Sequence, residues 1–196
     1  MSIFDDVCEF LQIAADQRGA HQAQLETLIN NCTDIIERET GRKITLLEVE
    51  DYKLTRGVDF GYYGQSKIYL NGALHDIVAI TKLIDRGKEL TAGVDYILDK
   101  NNGLLIKEGG EWLENIVITG KFGLVVECAA QGENDEPVAV YEPIPALKQV
   151  LIEMVAAKSG LWKMNVETES GTITQTRTTI NKDTQALLNK FRLVQI

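Results

Sequence analysis

The residues that could do chemistry in this chain are few and scattered. Cys8, Cys32 and Cys128 are separated by long intervals and form no CxxC pair, so the sequence indicates neither a disulfide framework nor a zinc site. The two histidines, His21 and His75, would need carboxylate partners in a ligand pattern that the sequence does not display. We therefore expect no metal centre and no bound cofactor.

Motifs for phosphate binding and nucleophilic catalysis are missing as well. Neither GxGxxG nor GxSxG occurs, and Gly87-Lys88 is followed by Glu89 instead of the hydroxyl residue of a phosphate-binding loop. A His75–Asp76 pair is conceivable as part of a triad, but no nucleophile lies near it in the sequence. Two carboxylates that meet only in space stay an open alternative. We predict that the chain is not an enzyme.

The cysteines and tryptophans have a structural explanation. Cys8 and Cys32 fall on apolar helical faces, where a small hydrophobic residue is expected. Trp162 shares the apolar face of its helix, whereas Trp112 lies at the edge of a strand and is expected to cover the sheet. Stacking of either ring on sugars or bases is the alternative.

The composition is that of an acidic globular chain. Its 196 residues include 29 Asp and Glu against 20 Lys and Arg, which gives a formal net charge of −9. Proteins that grip nucleic acid need a basic patch, and an acidic surface disfavours anionic membranes, so we expect neither activity. The charge either serves solubility alone or suits the lining of a passage through which DNA slides.

The chain begins with acidic residues where a signal peptide needs basic ones, and no apolar run approaches the roughly 20 residues that span a bilayer. We expect the protein to work in a reducing cytoplasm or in a particle assembled there.

The hydrophobic pattern predicts an α+β fold. Apolar residues recur every three or four positions across residues 1–43, which predicts a helical hairpin that ends at Gly41. Residues 44–126 alternate short apolar runs with Gly and Asn turns, which predicts a small antiparallel sheet. Pro143 and Pro145 mark the start of a third helix over residues 143–163.

Two further segments stand apart in composition. Residues 127–142 contain no Lys or Arg, and we predict an acidic, solvent-exposed loop there. Residues 164–196 are predicted as a C-terminal arm that follows one domain over 1–163. The arm's threonine-rich part is either a disordered linker or a strand that pairs with another chain. Asn181 then caps a short last helix.

Several segments, taken in order, resemble one family. The segment from Ile35 to Arg42 (IIERETGR) is similar to an "IE-x-x-TGR" signature, and VDYILD, Gly103 and Trp112 are similar to a "dYxlD…Gxl…W" hairpin. Residues 116–123 resemble an "xVTYxxG" strand, and residues 144–148 resemble an "iPxxlk" helix start. In this order the segments resemble the head–tail connector (adaptor, or head-completion) proteins of tailed bacteriophages. The acidic segment 124–142 departs from the family's shorter connection, and the threonine-rich arm has no counterpart pattern.

The resemblance implies a virion structural protein at the head–tail interface, assembled in the host bacterial cytoplasm. It implies a homo-oligomeric ring, commonly of twelve copies, that docks on the portal protein and joins the DNA-filled head to the tail or its stopper. DNA would pass through without specific binding. The acidic residues Glu133, Asp135 and Glu136 would lie near the channel or at a subunit rim. The arm would supply the portal-binding residues Thr172, Thr174, Thr176, Arg177, Leu187, Leu188 and Phe191.

Alternatives remain at two levels. The last helix either fills a groove on the portal or folds back onto its own core, as apolar faces of short helices usually do. The whole chain is alternatively another tail-completion or baseplate subunit, a small carbohydrate- or peptide-binding module, or an enzyme without a recognisable motif.

Overall fold

The computed structural model describes residues 2–62, 66–112, 115–131, 137–161, 163–168, 171–176 and 182–192. Short 3-10 helices lie at Ala15–Gln17, Gly72–Leu74 and Lys100–Asn102. The longer helices and the strands of these residues are, in chain order, α1 (Ile3–Phe10), α2 (Arg18–Thr40), β1 (Leu47–Lys53), β2 (Phe60–Tyr62), β3 (Lys67–Leu70), β4 (Ile77–Asp85), β5 (Lys88–Glu89), β6 (Tyr96–Asp99), β7 (Leu104–Lys107), β8 (Ile116–Phe122), β9 (Val125–Gln131), β10 (Pro137–Pro143), α3 (Pro145–Ser159), β11 (Lys163–Thr168), β12 (Gly171–Thr176) and α4 (Lys182–Lys190).

This element order confirms the predicted α+β class, with helices first and antiparallel sheets after them. The chain divides into two compact units. The helical unit comprises Met1–Thr40 with Pro145–Arg192, and the β unit comprises Gly41–Ile144 with Leu193–Ile196. The predicted boundary between residues 163 and 164 falls inside the helical unit, and the segment predicted as one domain, 1–163, is divided between the two units.

The helical unit is built around α3. Nine of the fifteen residues of α3 are buried, on all sides of the helix, which is the pattern of a central helix packed by neighbours. The buried side chains Val7 and Cys8 come from α1, while Leu25, Cys32 and Ile36 come from α2. The cysteines therefore lie in the core, as predicted.

A capping box begins α1. The Ser2 hydroxyl accepts a hydrogen bond from the backbone N–H of Asp5 at 3.2 Å, and the Asp5 carboxylate accepts one from the Ser2 backbone N–H at 3.2 Å. The two bonds satisfy donors that have no partner within a helix.

The last helix, α4, packs against α3 and α2. Thr184 and Leu188 are buried, and the Thr184 hydroxyl donates a hydrogen bond to the Glu153 carboxylate of α3. The last helix therefore folds back onto its own core, which is one of the two alternatives that the sequence left open.

In its described part, the threonine-rich arm is neither a disordered linker nor a strand that pairs with another chain. Instead β12 pairs antiparallel with β11, from Lys163 opposite Thr176 to Thr168 opposite Gly171. The threonines have high β-propensity, and the preceding residues of the same chain provide the partner strand.

The β unit contains two four-stranded sheets. One has the strand order β1-β8-β4-β5 and the other β2-β3-β7-β6. Buried side chains of both sheets belong to one hydrophobic core, which also holds Trp112 at 3% exposure. The Trp112 indole N–H donates to the Ser66 carbonyl at 2.9 Å, and the Lys107 ammonium lies 5.5 Å from the ring centre. The predicted covering role of this tryptophan agrees with its burial.

The central strand β8 alternates buried and half-buried residues along its whole length. Gly120 is one of the buried positions, and a Cβ there would lie 2.5 Å from the Ala79 carbonyl oxygen on β4. Only glycine allows the two strands to approach this closely.

The second sheet is made from a repeated sequence unit. Residues 54–60 (LTRGVDF) and 90–96 (LTAGVDY) are identical at five of seven positions. In each copy the aspartate accepts a hydrogen bond from the threonine N–H, at 2.7 Å in Asp59–Thr55 and 2.9 Å in Asp95–Thr91. We call these segments the first and second LTxGVD turns.

Each LTxGVD turn leads into a hairpin. The first is followed by β2 and β3, the second by β6 and β7, and β3 pairs with β7 at the middle of the sheet. The two outer strands, β2 and β6, therefore begin at equivalent turns.

The segment predicted as an acidic loop contains a hairpin instead. Strands β9 and β10 pair over seven positions, from Pro137 opposite Gln131 to Pro143 opposite Val125. The loop prediction is therefore wrong for residues 127–131 and 137–142. Valine has high β-propensity, and the period of two in Val138-Ala139-Val140 favours a strand, whereas the carboxylates of this segment favoured a loop.

Candidate interaction surfaces

The "TGR" part of the family-like signature forms the end of α2. The Thr40 hydroxyl donates to the Ile36 carbonyl at 2.7 Å, and Gly41 follows with φ at +69°, the left-handed conformation of a helix C-terminus. Arg42 then forms a two-pronged ion pair with Asp76, in which Nε donates to Oδ2 at 2.9 Å and Nη2 donates to Oδ1. The three residues have structural roles at the start of the β unit.

The residues considered for chemistry have structural environments. Cys8 and Cys32 are buried, and burial raises the pKa of both thiols, as is expected for inert core residues. The His75 ring nitrogen Nδ1 lies 3.2 Å from the Leu70 carbonyl, so this histidine is engaged with the backbone. In the part of the chain that the structure describes, no three His, Cys, Asp or Glu side chains are placed to hold a metal ion.

The residues predicted to bind the portal occupy different environments. Thr172, Thr174 and Thr176 lie on β12, in the hairpin with β11. Leu188 is 4% exposed and belongs to the helical core, while Leu187 and Phe191 are half-buried. Arg177 lies outside the described residues, as do Trp162 and the predicted channel or rim residues Glu133, Asp135 and Glu136.

Exposed apolar side chains form a surface that the sequence reasoning missed. Val126, Val138 and Val140 are 38%, 48% and 38% exposed. Val140 lies opposite Cys128 in the hairpin, and Val138 and Val126 lie two positions away from them along their own strands. Side chains two positions apart on a strand point to the same side, so these residues share one face of the β9–β10 hairpin. We call this surface the hairpin face. Its alternation in VVEC and VAVY was visible in the sequence.

A second exposed apolar surface lies at the outer strand β6. Val94, in the second LTxGVD turn, is 70% exposed, and Ile97 on β6 is 46% exposed. We call these two residues the β6 patch. The equivalent valine of the first turn, Val58, is 68% exposed. Recognition of the repeat would have predicted two equivalent exposed valines.

The opposite side of the hairpin is fixed to the β unit by polar contacts. The Lys121 ammonium lies 5.1 Å from the centre of the Tyr141 ring and 2.9 Å from the Glu48 carboxylate. A hydrogen bond to Glu48 raises the pKa of Lys121, and nearby Tyr141 and Glu127 also favour its charged form. The cation therefore stays protonated at neutral pH and holds Tyr141 on this side.

None of the helices described is both long and apolar enough to cross a lipid bilayer.

Comparison with known proteins gives a likeness in structure alone. No protein-family model matches the chain, and no curated protein matches it. A chain in the neck of an empty GTA (gene transfer agent) particle, computed with C6 symmetry, matches with a TM-score of 0.53 at 17% identity, over 98% of this chain and 90% of that one. A chain in the neck of the native GTA particle, computed with C12 symmetry, matches with a TM-score of 0.47 at 15% identity, over 93% and 88%. The first likeness shows that this chain shares its fold with a neck chain of a phage-like particle.

Proposed function

We propose that this chain is a non-enzymatic structural subunit of the neck of a tailed phage or phage-like particle. In this role it acts as a head–tail connector, or adaptor. Copies of the chain form a ring that docks on the portal protein and joins the DNA-filled head to the tail or its stopper. The ring is closed and has about twelve members, as the resemblance to connector proteins implies.

The observation that carries the proposal is the fold shared with a neck chain over 98% of this sequence and 90% of that one. A likeness over nearly the whole of both chains means that both units, and not one common motif, correspond. The order of the sequence segments that resemble connector proteins supports the same role independently.

The charge of the chain is compatible with a passage for DNA. A net charge of −9 repels phosphate, so a ring of such subunits would let the duplex slide without holding it. Neither a metal nor a cofactor is part of the proposed role.

Electron microscopy of the purified chain, alone and mixed with the portal protein of the same particle, tests the proposal. We expect a ring stacked on the portal. A second candidate, a tail-completion subunit of the same neck, fits the same shared fold. It would instead give a complex with the tail-end protein and none with the portal. Binding to neither would contradict both roles.

A further inference from the structure

The dipeptide Asn-Gly occurs twice in the chain, at Asn71-Gly72 and at Asn102-Gly103. In such a pair the backbone nitrogen of the glycine can attack the side-chain carbonyl carbon of the asparagine, because glycine has no Cβ to block a close approach. The reaction also needs an asparagine side chain that is free to turn and a backbone that is free to follow it. The structure places the two pairs in different environments.

Asn71 lies at an exposed turn between β3 and the short 3-10 helix Gly72–Leu74. It occupies the N-cap position of that helix, but its side chain makes no capping hydrogen bond. The Gly72 N–H is the first of this helix, and such groups have no partner within a helix. Gly72 is also exposed, and a Cβ there would have no atom of the described residues within 4 Å. The turn therefore has room for the rotation about ψ of Asn71, now at 161°, that ring closure requires.

Asn102 is exposed too, but its contacts restrain it. Its side-chain Nδ2 donates to Asp99 Oδ2 at 2.8 Å, and its backbone N–H donates to Asp99 Oδ1 at 3.3 Å. The following Gly103 is buried, and its carbonyl accepts a hydrogen bond from the Leu70 N–H at 2.8 Å. A Cβ at Gly103 would lie 2.7 Å from the His75 carbonyl oxygen, so this backbone has no space to move.

We propose that Asn71 is a site of spontaneous deamidation and that Asn102 is protected from the same reaction by its contacts. The Gly72 nitrogen loses its proton and bonds to Cγ of Asn71, the bond from Cγ to Nδ2 breaks, and the side-chain nitrogen leaves as ammonia. Water then opens the cyclic imide at either carbonyl carbon, which gives aspartate or isoaspartate. The reaction consumes water alone, and no step depends on the proposed connector role.

The modification changes both the charge and the backbone of the β unit. Either product adds a carboxylate to a chain whose net charge is already −9, and isoaspartate also adds a methylene group to the main chain. The Asn71 N–H donates to the Asp59 carbonyl at 2.7 Å, and the Asn71 carbonyl accepts from the Leu74 N–H at 3.1 Å. Asp59 belongs to the first LTxGVD turn, so isoaspartate at position 71 loosens the connection to that turn.

Peptide mapping by mass spectrometry, after incubation of the full-length chain at neutral and at mildly alkaline pH, tests the proposal. We expect Asn71 to convert several-fold faster than Asn102, and both rates to rise with pH, since the attacking nitrogen must lose its proton. Equal rates, or faster conversion at Asn102, overturn the proposal. In urea, which removes the fold, the two rates should become similar. A ratio that urea leaves unchanged also overturns it, because local sequence would then set the rates.

Two variants test the restraint and the consequence separately. Asp99→Ala removes the carboxylate that holds Asn102, and we expect it to speed conversion at Asn102 and leave the rate at Asn71 unchanged. A rate at Asn102 that stays as slow as before contradicts the protection assigned to Asp99. Asn71→Gln would have to close a larger ring, so it should keep its thermal unfolding temperature through an incubation that lowers that of the wild-type chain. An equal loss in both contradicts the role of position 71.

Discussion

Arg42 shows how a single side chain fixes the start of the β unit. It directly follows the glycine that ends α2, and its guanidinium forms two hydrogen bonds to the Asp76 carboxylate. Both side chains are mostly buried, at 17% and 9% exposure. The backbone carbonyl of Asp76 also accepts a hydrogen bond from Gly123 at 2.7 Å. A mostly buried charge that loses an ion-pair partner is costly, because water reaches it poorly.

We therefore expect Asp76→Ala to lower the free energy of unfolding by about 3 kcal/mol. The matched control is Glu48→Ala, which removes the carboxylate of the exposed Lys121–Glu48 pair. Exposed pairs are screened by solvent, so this change should cost much less. Urea unfolding followed by circular dichroism measures both. Equal losses would mean that the Arg42–Asp76 pair is as weakly coupled as a surface pair.

Gly120 tests the close approach of two central strands. A methyl group at this position would lie 2.5 Å from a backbone oxygen of β4, and backbone cannot move aside as a flexible side chain can. Gly120→Ala should therefore destabilise the protein by about 2 kcal/mol or more. Gly61, also in a strand, has nothing within 4 Å of such a methyl group, and Gly61→Ala should be close to neutral. The melting temperatures of the two variants, compared with that of the wild-type chain, test this expectation. An unchanged melting temperature for Gly120→Ala would contradict the close approach of the two strands.

At the scale of elements, the question for α4 is whether it stabilises its own core or binds a partner. Leu188 is 4% exposed, whereas its neighbour Leu187 is half-buried. We expect Leu188→Ala to cost about 2–4 kcal/mol, as a deleted core leucine does. Leu187→Ala should cost well under half as much. Denaturant unfolding of both variants is the measurement. If Leu188→Ala leaves stability unchanged but abolishes portal binding, the helix serves the partner and not the core.

The elements that the sequence could predict are those whose pattern is local. Helical periodicity in α2 and α3, and a glycine with positive φ at position 41, depend on near neighbours and were predicted correctly. The pairing of β11 with β12 was missed because threonines indicate strand propensity without indicating a partner. The β9–β10 hairpin was missed because its carboxylates masked a period of two. The alternation in VVEC and VAVY was readable, but which face of the hairpin is exposed depends on how the opposite side is anchored, and the sequence does not show this.

The two LTxGVD turns allow a comparison that the chain itself provides. Phe60 and Tyr96 occupy the same place in the repeat and are 2% and 3% exposed. Burial raises the pKa of Tyr96, so its hydroxyl stays neutral and contributes bulk in an apolar site. Because Phe60 fills the equivalent place without a hydroxyl, we expect Tyr96→Phe to change the free energy of unfolding by about 1 kcal/mol or less. A larger loss in urea unfolding would show that the second turn depends on this hydroxyl in a way the first does not.

At the scale of the whole molecule, the helical unit is built from both ends of the chain. Residues 1–40 and 145–192 form it, while the residues between them form the β unit.

The net charge is a property of the whole molecule, and whether the location of its carboxylates also matters can be tested. Glu133, Asp135 and Glu136 are predicted to lie near the channel or a subunit rim. Reversal of all three to Lys changes the formal net charge from −9 to −3. The same change in charge results from reversal of Glu9, Asp16 and Glu26, which are exposed in the helical unit and serve as the control. Neither set should affect folding, because exposed charges away from special features cost little.

If position matters, only the first triple variant should retain duplex DNA in assembled rings, because phosphate is attracted where the bore or rim has lost its carboxylates. The retention should decrease steeply as salt increases, since each phosphate contact releases bound cations. Filter binding over a salt series measures both variants. Equal retention by both would mean that net charge alone controls the interaction. The acidic segment would then have no special place beside the DNA path.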